Sequence, residues 1–327
     1  MLSNPTNAKA FPPLFCSRRE DLIECFYYGA IHVSVSGASQ TPETDDIWLA
    51  ARSTIKPWQL RVCLPHIDSS LDWAIGMASS SGEAIHREAI LRLARVYGID
   101  PESDLHSPKN HSYDAFEYAQ QVTQGSPKAR INHFCCGNHL AHFVAARASS
   151  SVPYLDKQTV QNRALRAWLS ELAGDDGYWV NDSCGMPCWV APMHQHARLW
   201  NALSNSNASA MEAIKELWTA NPILIGGSNR VDTTILQFGK GRLFAKEGAD
   251  GLLFLHATGK KGEPPVTILV KMSQAARDEH LYFAVIIAIK QYVPSRATLM
   301  HDFANHLQFI IASNVLSFES TLEPRKS

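Results

Sequence analysis

The sequence predicts an α/β fold: a sandwich lobe assembled from both ends of the chain, with a mainly helical lobe inserted between them. Three observations carry this. Near the start, Ile31, Val33 and Val35 alternate with His32 and Ser34, the period-two pattern of a half-buried strand. The middle of the chain instead repeats its apolar residues at helical spacing. In the last third, residues 242–246, 251–256 and 266–271 read as strands separated by glycine-containing turns, and two apolar helical stretches, 274–291 and 298–313, follow. Strands early and late with helices between place both ends of the chain in one sheet. The expected organisation is a single two-lobed domain, with residues 1–59 and 221–327 forming the sandwich lobe and 60–220 the helical lobe.

Taken in order, residues 1–20 form an irregular lead-in to the first strand. Residues 37–46 are rich in turn formers, and Ile47-Trp48-Leu49-Ala50 leads to Ser53-Thr54-Ile55-Lys56. Pro57 follows at once and suits the first turn of a helix, where its missing N–H costs nothing. Leu60, Val62 and Leu64 then face inward. Ser79-Ser80-Ser81-Gly82-Glu83 opens a helix in which Ile85, Ala89, Leu93 and Val96 or Tyr97 recur at helical spacing, and Gly98 ends it. Serines there either cap the helix or sit where backbone N–H groups favour a developing anion. Residues 100–130 are polar and read as a connection over the surface. His133-Phe134-Cys135-Cys136-Gly137-Asn138-His139 leads into a helix over 140–148, and 156–173 is a second amphipathic helix stopped by Gly174. Asp182-Ser183-Cys184-Gly185-Met186-Pro187-Cys188 reads as a loop.

Composition excludes several classes of function. Hydrophobic residues make up 45% and charged residues 19%, an ordinary globular balance. Lys and Arg number 30 against 31 Asp and Glu, with no basic run, so neither nucleic acid nor an anionic membrane is an expected partner. The N-terminal residues lack the pattern of a signal peptide, and the most apolar run, 283–289, is too short to span a bilayer. The expected location is the cytoplasm. Seven cysteines, an odd count, then read as thiols or metal ligands rather than a disulfide framework.

The chemistry centres on Arg52-Ser53-Thr54-Ile55-Lys56-Pro57-Trp58-Gln59. Ser53 and Lys56 are three apart, so a helical turn puts them on one face. A hydroxyl is a weak nucleophile until a base removes its proton, and a lysine held beside it can be that base. Ser-x-x-Lys also occurs by chance on solvated helix turns, so the pattern needs company.

That company is present, in order, along most of the chain. Glu24 to Ile31 is similar to an E-x-x-H-R-G opening, with Tyr27 and Tyr28 departing from it. Arg52 to Gln59 fits R-S-x-x-K-P-x-Q. Ala78-Ser79-Ser80-Ser81-Gly82-Glu83 with His86 is similar to A-S-H-S-G-E-x-x-H, and Tyr154 to Gln161 fits Y-x-D-x-x-x-x-Q. Cys184-Gly185-Met186-Pro187 resembles C-G-A-P, the stretch from Gly227 to Thr233 parallels G-x-G-R-x-D-T, and Lys246 to Gly251 is close to K-x-G-A-E-G. Together these resemble the rhizobial-type (class 3) L-asparaginases of the Asparaginase II family. The resemblance implies a serine β-lactamase/glutaminase-like α/β/α sandwich. It also implies hydrolysis of the side-chain carboxamide of L-asparagine, or a related small-molecule amide, to carboxylate and ammonia.

Carried over residue by residue, the resemblance makes Ser53 and Lys56 one catalytic pair and Ser79 and Lys246 a second. It implies substrate contacts from Arg52, Glu83 and His139, and a homodimer. The attacking serine is not fixed by the residues; Ser53 is preferred because local geometry holds its lysine. The family's zinc, bound by two cysteines and a lysine, implies Cys135 and Cys184 with Asn138 at the lysine position. An amide oxygen is a weak zinc ligand, so His139, His133 or Cys136 completes the shell, or two buried thiols remain without zinc. Ser80, Asn138 and Ser183 depart from the family pattern and are expected to alter substrate choice. The alternatives are a Ser-Lys amidase or acyltransferase acting on a different amide, and a catalytically silent amide-binding protein.

Overall fold

Two strands near the start, β1 (Pro13–Arg19) and β2 (Leu22–Val35), form a hairpin, and β2 continues past it to pair with the end of the chain. The structure is a computed structural model that describes residues 11–149, 153–204, 209–260, 262–273, 276–311 and 317–322. The remaining strands are β3 (Ala38–Ser39), β4 (Trp48–Ala50), β5 (Tyr178–Asn181), β6 (Pro187–Pro192), β7 (Leu243–Gly248), β8 (Leu252–Ala257), β9 (Val266–Met272) and β10 (Ser317–Ser320). The main sheet runs β10-β1-β2-β9-β8-β7, with β3 on β2, and every pairing in it is antiparallel. The chain is thus mixed α/β, and its early and late strands share one sheet as the patterning predicts.

Six of the seven residues of β9 are buried, because helices cover both faces of the sheet, and the core each residue joins alternates along the strand. Val266, Ile268, Val270 and Met272 join the core shared with helices Asp278–Tyr292 and Thr298–Ile311, whereas Leu269 joins the opposite core with Phe244 and Phe254. Trp58, Trp200 and Trp218 anchor that second core, with ring centroids 5.4 to 6.5 Å apart. Truncating such a buried aromatic costs about 3–5 kcal/mol. The β7–β8 turn needs residues that tolerate left-handed backbone, and Asp250 and Gly251 supply it at φ of 63° and 72°.

Several sequence expectations shift. The half-buried strand around residue 31 is buried on both faces, since helix Met193–Asn201 packs on β2 and β9. His32 and Ser34 are therefore hydrogen-bonded core residues: His32 meets the Thr44 hydroxyl at 3.3 Å, and Asn201 Nδ2 donates to Ser34 Oγ at 3.0 Å. Polar alternation here marks a satisfied interior, not solvent. The C-terminal helices start and stop within a few residues of expectation, although residues 274–275 and 312–313 of the predicted spans lie outside the described residues. The expected surface connection over 100–130 contains a helix, Ala115–Thr123, that buries none of its residues.

The middle of the chain holds helices Lys56–Cys63, Ala84–Val96, Cys136–Ser149 and Val160–Ala173, but also an unexpected small sheet, β4-β6-β5. Strand β6 begins and ends with proline, which reads as a loop in sequence, yet all six of its residues are buried. Its pairing of Val190 with Ala50 fixes the chain just before Ser53. All seven cysteines are free thiols, and among the described residues no helix is long and apolar enough to cross a membrane.

Candidate active site

After β4 the backbone turns left-handed at Arg52 (φ 49°) and enters a 3-10 turn, Arg52–Ile55, that runs into helix Lys56–Cys63. A non-glycine residue in that region stores about 1–3 kcal/mol and persists only if its surroundings hold it. Arg52 N donates to Cys188 Sγ at 3.3 Å, Nε lies 2.7 Å from Asp182, and the guanidinium also pairs with Asp250. The result is to set Ser53 in the wall of a cavity of about 250 Å³.

Ser79 reaches the same cavity from the other side. It does not sit at a helix N-terminus, as the sequence suggested; the helix starts at Ala84, with Glu83 as its cap. Residues 79–81 are extended and pair like a strand with the segment after Leu224, Ser79 N donating to Ile225 O and Ser81 N to Gly226 O, both at 2.8 Å. Ser81 O in turn accepts from Tyr113 N at 2.7 Å, which brings Tyr113 to the cavity mouth. Phe134, Leu281 and the β7–β8 turn from Glu247 to Gly251 complete most of the wall.

The lysines pair differently from expectation. Lys56 Nζ meets three acceptors: Ala78 O at 2.6 Å, Phe134 O at 3.2 Å and Ser79 Oγ at 3.4 Å. Its serine neighbour across the site is thus Ser79 and not the sequence-local Ser53. Lys246 Nζ lies 2.6 Å from Asp232 Oδ2, and both side chains are fully buried.

A charged cluster surrounds that ion pair. Arg230 binds Glu247 through Nε and Nη2, both at 3.1 Å, and its guanidinium lies 5.0 Å from the Tyr113 ring centroid. Burial disfavours the Asp232 carboxylate, but Lys246 and Arg230 outweigh it and hold its pKa well below the usual range. Burial pushes Glu247 up to about 7, helped by Asp232 and opposed by Arg230. Burial also lowers Lys246, against the pull of Asp232 and with a push from Lys56.

The three expected substrate contacts are not on the cavity wall. Arg52 is spent on Asp182 and Asp250. Glu83 accepts from Ser81 Oγ, Ser228 N and Ser228 Oγ, each at 2.7 Å, and so ties two segments of the site together. Burial raises its pKa, but the hydrogen bonds from Ser228 and Ser81 outweigh that and leave it below the usual value. His139 is fully buried, its Nδ1 2.7 Å from the Tyr154 hydroxyl, and burial drives it down to about 3. The three departures also lie off the wall: Ser80 and Asn138 are buried, and Ser183 accepts from Arg52 Nη2 at 3.2 Å.

The expected zinc ligands come together only in part. Cys135 and Cys184 share a small buried cluster with Tyr154 and Met186. A hydrogen bond from Cys184 is the main cause that lowers Cys135 well below the ordinary thiol value; Lys56 and His133 add to it against burial, and Cys184 is raised in exchange. Asn138 Nδ2, however, donates to Gly76 O at 3.0 Å. Among the described residues no group of three His, Cys, Asp or Glu side chains is placed to hold a metal ion. Two thiols without a third donor do not fit a zinc shell.

Sequence reasoning assigned no role to Tyr113, Arg230, Asp232 or Glu247. A signal existed for three of them: Arg230 and Asp232 lie in the stretch that parallels G-x-G-R-x-D-T, and Glu247 directly follows Lys246. A model of the family described as L-asparaginase II matches residues 16–313 of the chain. Comparison with curated proteins finds no match.

Proposed function

The chain belongs to the L-asparaginase II family, and from that premise we propose that it hydrolyses the side-chain carboxamide of L-asparagine, or a closely related amide, by serine-lysine covalent catalysis. The observation that carries this is the meeting of Ser79 Oγ with Lys56 Nζ, 3.4 Å apart, beside a cavity walled by Ser53 and Ser79.

In this reading Ser79 Oγ attacks the carboxamide carbon while its proton passes to Lys56 in the neutral form. Lys56 returns the proton to the amide nitrogen, the C–N bond breaks, and ammonia leaves an acyl ester on the serine. Water then attacks the ester with Lys56 again taking the proton, Lys56 passes that proton to Ser79 Oγ as the ester C–O bond breaks, and the carboxylate is released. Backbone N–H groups of the Gly248–Gly251 turn, which walls the cavity, are the donors for the tetrahedral oxyanion. Lys246, ion-paired with Asp232, fixes the charged cluster behind that turn. The strained backbone at Arg52 favours a second reading, in which Ser53 attacks and Ser79 hands its proton on to Lys56. Both routes pass through Ser79 and Lys56. The architecture belongs to the same proposal: a two-lobed α/β/α sandwich akin to serine β-lactamases and glutaminases.

The test is ammonia release from L-asparagine and L-glutamine, followed by acid quenching and peptide mass analysis of the acyl-enzyme. Release from L-asparagine with the adduct on the Ser79 peptide is expected. An adduct on the Ser53 peptide selects the second reading, and no release from either amide by folded protein contradicts the function.

A further inference from the structure

We propose that Arg230 is the residue that receives the α-carboxylate of the substrate, with Glu247 as the counter-ion it partly gives up on binding. The inference rests on the reading above that the substrate is an amino-acid carboxamide. Such a molecule carries a carboxylate close to the amide, and a carboxylate taken into a cavity needs a cation and directed donors to replace its water. Among the described residues, Arg230 is the one cationic side chain on the cavity wall. Lys56 Nζ is engaged by Ala78 O, Phe134 O and Ser79 Oγ, Lys246 is paired with Asp232, and Arg52 holds Asp182 and Asp250.

Arg230 is also built for the task. A guanidinium has five N–H donors in a planar fork, and Glu247 contacts it at Nε and Nη2, which leaves further donors free of that carboxylate. The Tyr113 ring, on the wall itself, lies against the guanidinium and fixes its plane. Glu247 and Asp250 stand on the same wall and offer acidic partners for the substrate's α-ammonium. The two serines therefore face the carboxamide end of the cavity contents, and the Arg230–Glu247 pair faces the amino-acid head. A site of this kind prefers zwitterionic amino-acid amides over amides that lack the carboxylate.

The experiment compares L-asparagine with β-alaninamide, which keeps the ammonium and carboxamide but has no carboxylate. Removing Arg230 alone strands Glu247, so the informative protein is the double variant Arg230→Gln/Glu247→Gln, with Arg230→Lys as the charge-conserving control. The expected result is a fall in kcat/KM for L-asparagine that exceeds the fall for β-alaninamide by about 10- to 100-fold, the worth of a charged hydrogen-bonded contact. Arg230→Lys is expected to fall between wild type and the double variant. Calorimetric binding of L-aspartate, which needs no turnover, is expected to weaken by a similar factor in the double variant. Equal losses for both amides, or unchanged L-aspartate binding, overturn the assignment even if the wild type releases ammonia. Arg230-dependent binding of L-aspartate by a wild type that releases no ammonia upholds it while removing the hydrolase reading.

Discussion

Lys56 and Lys246 are both buried lysines beside one cavity, and they are held in opposite ways. Lys56 faces neutral acceptors, two backbone carbonyls and the Ser79 hydroxyl. Lys246 faces a carboxylate, and both members of that pair are out of water. A lysine whose acceptors are all neutral leaves no unpaired buried anion when it gives up its charge, and the neutral amine can then take the proton of the serine it touches. Burial lowers the pKa of Lys246, but the carboxylate it touches opposes the loss of its charge, since Asp232 would then keep only the more distant Arg230 as a counter-charge. This difference is why the proposed mechanism gives proton transfer to Lys56 and leaves Lys246 to hold the Arg230–Asp232–Glu247 cluster.

The largest change in stability is expected at that ion pair. Asp232→Ala leaves Lys246 buried and uncompensated and should cost about 3–5 kcal/mol, read as a fall in the denaturation midpoint. The double variant Asp232→Leu/Lys246→Met removes both charges and should recover most of that loss. A double variant as unstable as the single one would show that the pair is not the unit that matters. A smaller effect distinguishes Glu247. Its folded pKa, about 7, lies above its unfolded value, so its contribution is fully present below the ordinary carboxylate range. That contribution is lost as pH rises toward and through 7. Glu247→Gln should therefore flatten the melting temperature between about pH 4 and 7 relative to wild type, and identical pH profiles would remove the assignment. The smallest effect concerns the thiols on the Lys56 side. Asn138→Lys adds the donor that Cys135 and Cys184 lack and should raise bound zinc measured by elemental analysis. Equal zinc in both proteins would sever the link between residue 138 and the metal.

How far the sequence reaches is clear from the same two lysines. The order of motifs brought Ser53, Ser79, Lys56 and Lys246 to one region, and the structure places both serines on one cavity. The pairing was not legible. Helical spacing reports which face Ser53 and Lys56 share, but an ammonium points to where its acceptors converge, and these came from Ala78, Ser79 and Phe134, far along the chain. Asp232 was hidden for a similar reason, since fourteen residues separate it from Lys246 and only the fold closes the gap. The substitutions at Ser80, Asn138 and Ser183 drew attention as changes in pattern, yet none of them lies on the wall; Tyr113, which does, sits in a stretch without a distinctive pattern, and Glu247 occupies a variable position of its motif. In the fold, β6 was missed because its first residues, Pro187 and Cys188, read as the end of a loop, and the buried second face of β2 because His32 and Ser34 read as solvent-facing.

The most direct test of the account is ammonia release from L-asparagine by the wild type and by Lys56→Met, measured side by side with their melting curves. Loss of a positioned general base predicts a fall of about 10²- to 10⁴-fold in kcat with the fold retained. Wild-type turnover in a folded Lys56→Met protein would contradict it.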